Sequence, residues 1–278
     1  MRRLLAILEI LRPHNMIAAG ACVCSSYVLS GGRDASPAVW PAVFTALVTG
    51  LGNLINDFFD ADIDRVNKPQ RPIPSGKLTR GGVLRFYAAG TALITTLMIF
   101  ALPPAVFALM VVWEALLFTY AIRVKRVALF GNILIGAVCA SAFLVGAMVT
   151  GALGIAVIPA LFAFVFVLGR ELVKGAEDVE GDRLAGARTL AVRCGAARAA
   201  QWGAMVLFVC AVAAPVPALV RYFGTTYGIL MEVLVVPGIL CAAYFVLASP
   251  RKTVFGRVSW LLKIEMLVGI VVMGLGRV

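Results

Sequence analysis

The chain is poor in the residues that most soluble enzymes rely on. It has a single histidine, His14, so a histidine-based metal site is excluded. Its six cysteines form no CxxC pair. No zinc or disulfide framework is therefore expected, and they read as small apolar residues. Charged residues make up only 14% of the chain, where a soluble domain has about 25%. No basic soluble segment is present, which argues against nucleic acid as a partner. No cleavage site follows the first apolar run, so residues 2–11 read as an interfacial helix and not a signal peptide.

What the sequence does have is hydrocarbon. Hydrophobic residues make up 62% of the chain, and mean hydropathy is +0.97. A helix needs about 20 apolar residues to cross a bilayer. The sequence predicts an all-α, polytopic membrane protein with nine transmembrane helices, in one domain over residues 1–278. The spans fall at roughly 14–30, 38–58, 82–101, 104–122, 130–150, 153–173, 200–221, 227–248 and 258–275. Glycines are tolerable in such helices because small residues allow close packing.

The net charge of +11 is first a topology signal. With the N-terminus cytoplasmic, all but Arg33, Arg221 and Arg277 of the 25 Lys and Arg residues fall on the cytoplasmic side. The expected location is the cell membrane, with the C-terminus outside. The longest non-membrane stretches, about 65–81 and 175–199, then both face the cytoplasm.

Of the 14 acidic residues, nine lie in two short clusters. One is N-D-F-F-D-A-D-I-D from Asn56 to Asp64, and the other is E-L-V-K-G-A-E-D-V-E-G-D from Glu171 to Asp182. Acids at the end of a membrane span are costly and mark functional sites. On a helix advancing about 100° per residue, Asn53, Asn56, Asp57, Asp60 and Asp64 share an arc of about 100°, with Asp57 at its margin. Asp62 faces away. A helix continuing through Gly175 and Gly181 would align Glu171, Asp178 and Asp182 in the same manner. Glu177 and Glu180 would point to water. The two clusters occupy similar positions after the second and sixth spans, which suggests two related helix bundles and an added final span.

Oxygen-only ligands suit Mg²⁺, which keeps waters and is shared with substrate phosphates. Lys68, Arg71, Lys125 and Lys174 lie close by in sequence. Carboxylates, Mg²⁺ and cations together are what a diphosphate needs. An allylic diphosphate that ionises leaves a carbocation, and an apolar interior would hold its isoprenoid tail away from water. Asn15, beside His14 at the entrance of the first span, is a candidate contact for an anionic substrate, with helix capping as the competing role. Phe58, Phe59, Tyr120, Phe162, Phe164 and Phe166 could line a prenyl tunnel or simply pack. Glu114 and Glu232 read as structural. A divalent-cation transporter is the competing class, but a cation path would avoid the adjacent Lys and Arg.

These residues carry a family resemblance. Asn56 to Ser75, N-D-F-F-D-A-D-I-D-R-V-N-K-P-Q-R-P-I-P-S, resembles the first aspartate-rich motif of the UbiA superfamily of intramembrane prenyltransferases. The second cluster, with Thr189-Leu190 after it, resembles the second motif. Y-A-I-R-V-K-R from Tyr120, then Gly131-Asn132, is similar to the connection between the fourth and fifth spans. The resemblance implies a nine-helix bundle around a central cavity and prenyl transfer from a diphosphate. It implies two Mg²⁺ ions: Asn56, Asp60 and Asp64 at one, Asp178 and Asp182 at the other, with Asp57 alongside and Glu171 oriented toward the site. Asp60, Asp64, Asp178 and Asp182 would be catalytic. Lys68, Arg71 and Lys125 match positions that meet the diphosphate, with Asn53, Lys174 and Asn15 as further substrate contacts. R-P-H-N near the start is most similar to the branch that transfers a geranylgeranyl group to the hydroxyl of geranylgeranylglyceryl phosphate in ether-lipid synthesis. An aromatic acceptor, as in quinone, haem or chlorophyll pathways, is the alternative. Members of the ether-lipid branch often carry Asp where this chain has Gly175.

Overall fold

The computed structural model describes residues 2–276; Arg277 and the side chain of Arg2 lie outside what is described. The regular elements among the described residues are all helices, with one isolated β-bridge. Helix α1 (Arg2–Leu11) matches the short N-terminal helix expected from sequence. Then follow α2 (Pro13–Leu29), α3 (Ser36–Asn67), α4 (Arg80–Ala101), α5 (Pro104–Ile122), α6 (Phe130–Thr150) and α7 (Leu153–Glu177). Short helices α8 (Val179–Leu184) and α9 (Leu190–Cys194) lead into α10 (Ala196–Ala213) and α11 (Val216–Leu219). Helix α12 (Thr225–Leu230) joins α13 (Val236–Ala248) through a π-turn at Met231–Val235, and α14 (Lys252–Gly274) ends the bundle.

Seven of the helical segments are long and apolar enough to cross a membrane. Helix α2 has 17 residues, and α14 carries Arg257, Lys263 and Glu265 within its 23. The outer faces are strongly apolar: Phe100 is 84% exposed and Tyr244 66%. Exposed apolar area on this scale belongs against lipid and not water.

Helix α3 positions the first acidic motif. Its 32 residues extend about 48 Å at 1.5 Å per residue, well past the roughly 30 Å hydrocarbon layer. The first acidic motif occupies the last turns of this long helix. Pro37 starts the helix where a missing N–H costs nothing. Close approach of helices elsewhere depends on glycine. A Cβ on Gly146 of α6 would collide with the Val23 carbonyl of α2.

The second motif is not one continuous helix. Helix α7 stops at Glu177, and Asp178 has φ −89 and ψ 1 before α8 begins. In an unbroken helix the Gly181 N–H would bond to the Glu177 carbonyl. Here it donates to Asn67 Oδ1 at 3.1 Å, while Asn67 Nδ2 donates to the Asp178 carbonyl at 2.9 Å. The end of α3 thus redirects the chain after α7. A backbone bond from Arg188 N–H to the Arg126 carbonyl (2.8 Å) ties the α8–α9 connection to the loop after α5.

Candidate active site

Two neighbouring cavities lie inside the bundle. The polar one, about 100 Å³, is bounded by Asn56, Asp60 and Asp64 of α3 and by Glu171, Lys174 and Gly175 of α7. Asp178 and Asp182 close it from the second motif, and Arg71, Lys125 and Arg126 from the loops. The apolar one, about 240 Å³, runs between α2, α3, α5, α6, α7, α10 and α14. Arg12, Asn56, Tyr120, Glu171 and Lys174 border both. The two spaces adjoin at those residues, which sets a charged chamber beside an apolar one.

The carboxylates of the polar cavity are held by cations. Lys125 Nζ lies 2.6 Å from Asp60 Oδ1 and donates to Asn56 Oδ1 at 3.1 Å. Asn56 Nδ2 donates to Asp60 Oδ2 at 2.8 Å. Arg71 reaches Asp64 at 2.7 Å and Asp57 at 3.3 Å. Lys68 pairs with Asp178 at 3.1 Å. Lys174 lies 3.7 Å from Glu171 and 3.8 Å from Asp178. Asp182 alone of the cavity's acids has no ion-pair partner among the described residues. Its carboxyl is pushed up to about 6 by burial and by the negative charge of Asp178. Burial alone would raise Asp178, but Lys174 and Lys68 outweigh it and hold that carboxyl below its ordinary value. Lys125 is lowered by burial despite Asp60.

The residues singled out from sequence separate into groups. Asn56, Asp60, Asp64, Glu171, Asp178, Asp182, Arg71, Lys125 and Lys174 line the polar cavity. Asp57 is buried behind it, paired with Arg12 and Arg71. Lys68 reaches Asp178 without lining the cavity. Asn15 and Asn53 line the apolar cavity instead, and Asn15 donates to Asn53 at 3.3 Å. Asp62 is exposed and pairs with Arg65 and Arg80, while Glu180 pairs with Lys252. Glu114 accepts from Thr95 of α4 at 2.9 Å, a structural bond between helices. Tyr120, Phe162 and Phe166 border the apolar cavity. Phe58 and Phe59 instead pack edge-on against each other, with Phe118 beside Phe59.

Sequence reasoning missed Arg12 and Asn67. Arg12 borders both cavities and pairs with Asp57. It adopts φ 54, a left-handed conformation that costs a non-glycine residue about 1–2 kcal/mol. The R-P pair was the available signal: Pro13 disfavours the right-handed helical region for Arg12, so α1 and α2 are separated there, and the guanidinium pairs with Asp57.

The donor set fits a hydrated, oxygen-loving cation better than a caged one. Among the described residues no three acidic or sulfur and imidazole groups converge to grip a bare ion. Mg²⁺ suits such a site, since it keeps several waters and takes the rest of its ligands from carboxylates and substrate phosphates. The fit is chemical: oxygen donors from α3 and from the α7–α8 break face one another across the polar cavity.

An all-helical bundle of this kind, with a charged chamber beside an apolar one, defines a membrane-embedded protein built to hold an amphipathic anion. The chain belongs to the UbiA prenyltransferase family, which matches residues 18–264. The digeranylgeranylglyceryl phosphate synthase of Thermococcus kodakarensis is 34% identical over 275 residues, spanning 96% of this chain and 95% of its own. A solved structure concerning digeranylgeranylglyceryl phosphate synthase in membranes is similar at TM-score 0.73 and 30% identity, with 99% of each chain covered. A UbiA homolog from Archaeoglobus fulgidus, bound to GPP and Mg²⁺, shares the fold at TM-score 0.66 and 18% identity, over 95% of this chain and 99% of its own.

Proposed function

We propose that this protein transfers a prenyl group, specifically geranylgeranyl, from its diphosphate to the hydroxyl of geranylgeranylglyceryl phosphate, in a Mg²⁺-dependent step of ether-lipid synthesis. The observation that carries this reading is the adjacency of the two cavities at Arg12, Asn56, Tyr120, Glu171 and Lys174. The relatives named as digeranylgeranylglyceryl phosphate synthases support the acceptor.

Two Mg²⁺ ions fit the proposal, one near Asn56, Asp60 and Asp64 and one near Asp178 and Asp182, with Glu171 and Asp57 as supporting acids. The metal supplies positive charge that neutralises the diphosphate as it leaves. The protein's own part is positioning. Lys125, Arg71, Lys68 and Lys174 hold the acids in the protein alone. Were the acids to hold metal, Lys125, Arg71 and Lys174, which line the polar cavity, would be available to the diphosphate oxygens. Asp57 fixes Arg12 and Arg71 from behind. The C1–O bond of the donor breaks, and diphosphate departs. The acceptor oxygen forms the new ether bond to C1, and its proton leaves with the diphosphate. The apolar walls around Trp113, Phe143, Phe162 and Phe166 keep water from the allylic cation.

The proposed setting is a single membrane domain over residues 1–278. Nine spans result when α2 and α14 join the seven longer, more apolar segments. The N-terminus and the polar cavity face the cytoplasm, and the C-terminus lies outside. The test uses purified protein with Mg²⁺, geranylgeranyl diphosphate and a panel of acceptors. Diphosphate release with geranylgeranylglyceryl phosphate is the expected result. Release only with an aromatic acid would overturn the acceptor and favour the aromatic alternative.

A further inference from the structure

Among the described residues two acids border the apolar cavity, Glu171 and Glu265. Glu171 is paired with Arg170 and Lys174. Glu265 of α14 is 8% exposed, and its buried Oε2 has no hydrogen-bond partner. Room for this carboxyl exists because residue 238 of α13 is glycine. A Cβ on Gly238 would collide with Glu265 Oε1. The π-turn at Met231–Val235 packs against α14, and Met231 and Val235 border the same cavity. Such turns frequently accompany functional sites.

The depth of Glu265 follows from the packing of α14 on α7. A Cβ on Gly256 of α14 would touch the Glu177 carboxylate at the end of α7. Both helices run inward from that contact, at 1.5 Å per residue. Glu265 therefore lies about 4–5 Å deeper than Glu171, roughly one turn inside the border of the two cavities.

A carboxyl without a partner in a membrane interior is costly and marks a functional site. An acid that only braces helices bonds its neighbour, as Glu114 does with Thr95. Glu265 instead presents a spare acceptor to a space walled mostly by hydrocarbon. A carboxyl can accept an O–H whether or not it carries its own proton. The isoprenoid chain of the donor has no such group. A lipid alcohol has one, and it must approach donor C1 near the border of the two cavities.

We propose that Glu265 accepts a hydrogen bond from the free hydroxyl of the lipid acceptor and turns that oxygen toward C1 of the donor. This rests on the function proposed above and names the residue that selects an alcohol as acceptor. Gly238 keeps the carboxyl in place, and the π-turn shapes the wall beside it.

The experiment compares Glu265→Leu, Glu265→Gln and Gly238→Ala with the unaltered protein in detergent, with Mg²⁺ and geranylgeranyl diphosphate. The acceptor is geranylgeranylglyceryl phosphate. The probe is its deoxy analogue, with the free hydroxyl replaced by hydrogen, used as an inhibitor competing with the acceptor. Glu265→Leu is expected to raise the acceptor KM about tenfold or more. The inhibition constant of the deoxy analogue should stay within about twofold, since it never made the bond. Glu265→Gln keeps an acceptor oxygen and should fall between Glu265→Leu and the unaltered protein. Gly238→Ala keeps the acid but displaces its carboxyl, so the acceptor KM should rise there too. The donor KM should stay within about twofold in all three, which also shows that the site still folds. Equal losses for the acceptor and the deoxy analogue would mean that Glu265 only shapes the cavity or holds water, and would overturn the assignment. If Glu265→Leu does not fold, an unchanged acceptor KM in the other two variants overturns it. No turnover of the acceptor by the unaltered protein would sink the proposed function and this contact with it. Normal turnover without a selective loss would sink only the contact.

Discussion

Asn67 clamps Asp178: the last residue of α3 donates from Nδ2 to the Asp178 carbonyl at 2.9 Å and accepts the Gly181 N–H at 3.1 Å. The two acidic motifs are separated by more than a hundred residues, yet this one side chain sets the break between α7 and α8 that brings Asp178 and Asp182 to face Asp60 and Asp64. A Cβ at Gly181 would collide with the Asn67 amide. Each clamp bond is worth about 0.5–1.5 kcal/mol, and stranding a buried partner costs about 1–3 kcal/mol. Asn67→Ala is therefore expected to lower kcat/KM about tenfold or more, with a higher half-saturating Mg²⁺ concentration. Gly181→Ala should do the same. Unchanged Mg²⁺ dependence in both variants would show that the clamp does not position the acids.

The acids within the first motif should differ sharply in effect. Asp60 is paired with Lys125 inside the chamber, whereas Asp62 pairs with Arg65 and Arg80 on the surface. Asp60→Ala and Asp182→Ala are expected to abolish turnover while thermal unfolding remains cooperative. Asp62→Ala removes only exposed pairs, which are worth about 0–1 kcal/mol each, and turnover should be near normal. Near-normal rates for Asp60→Ala or Asp182→Ala would sink the metal–diphosphate assignment.

Much of this arrangement was legible in the sequence. Apolar runs bounded by charge located α4, α5 and α6 almost residue by residue, because Pro104 and the polar loops punctuate them. Helical phase separated Asp60 and Asp64 from Asp62 because α3 stays regular to Asn67. Helix α7 does not continue past Glu177, where a tertiary contact from Asn67 replaces the local helical bond, yet Asp178 and Asp182 still line the polar cavity with Glu171. No periodicity within the second motif encodes a partner in the first. The role of Arg12 was hidden for a similar reason: its charge reads as a topology signal, and only its tertiary pairing with Asp57 places it beside the cavities. The apolar stretch at about 258–275 marks α14 as a span, although its Arg257, Lys263 and Glu265 set it apart from the seven more apolar segments.

Gly175 offers a gain-of-charge test. It borders the polar cavity inside α7, and an added Cβ would meet nothing within 4 Å. Residue 175 is one turn from Glu171 and from Asp178, so a carboxylate there would join their face. Aspartate is itself a poor helix former, only slightly better than glycine, so the backbone changes little. Gly175→Asp is expected to fold and to lower the half-saturating Mg²⁺ concentration by about threefold or more. The concentration dependence of turnover on Mg²⁺ measures this directly. A higher Mg²⁺ requirement would mean that added repulsion among the acids outweighs any new metal contact.

The depth of the apolar cavity sets which donors fit. Ala199 of α10 borders the polar cavity, and Ala214, just past the end of that helix, borders the apolar one. They are about 22 Å apart along the helix axis at 1.5 Å per residue. Ala214 is 2% exposed, and the Tyr227 hydroxyl donates to its carbonyl at 2.8 Å, so its side chain has a fixed direction. Ala214→Trp would fill space that the far end of a long chain needs, at a cost typical of overpacking, about 1–3 kcal/mol. The kcat/KM for geranylgeranyl diphosphate should fall by about tenfold or more, while that for geranyl diphosphate is retained. A general loss of stability would lower both donors alike. Equal losses would therefore place the end of the prenyl chain elsewhere, and a selective loss would fix it beside Ala214.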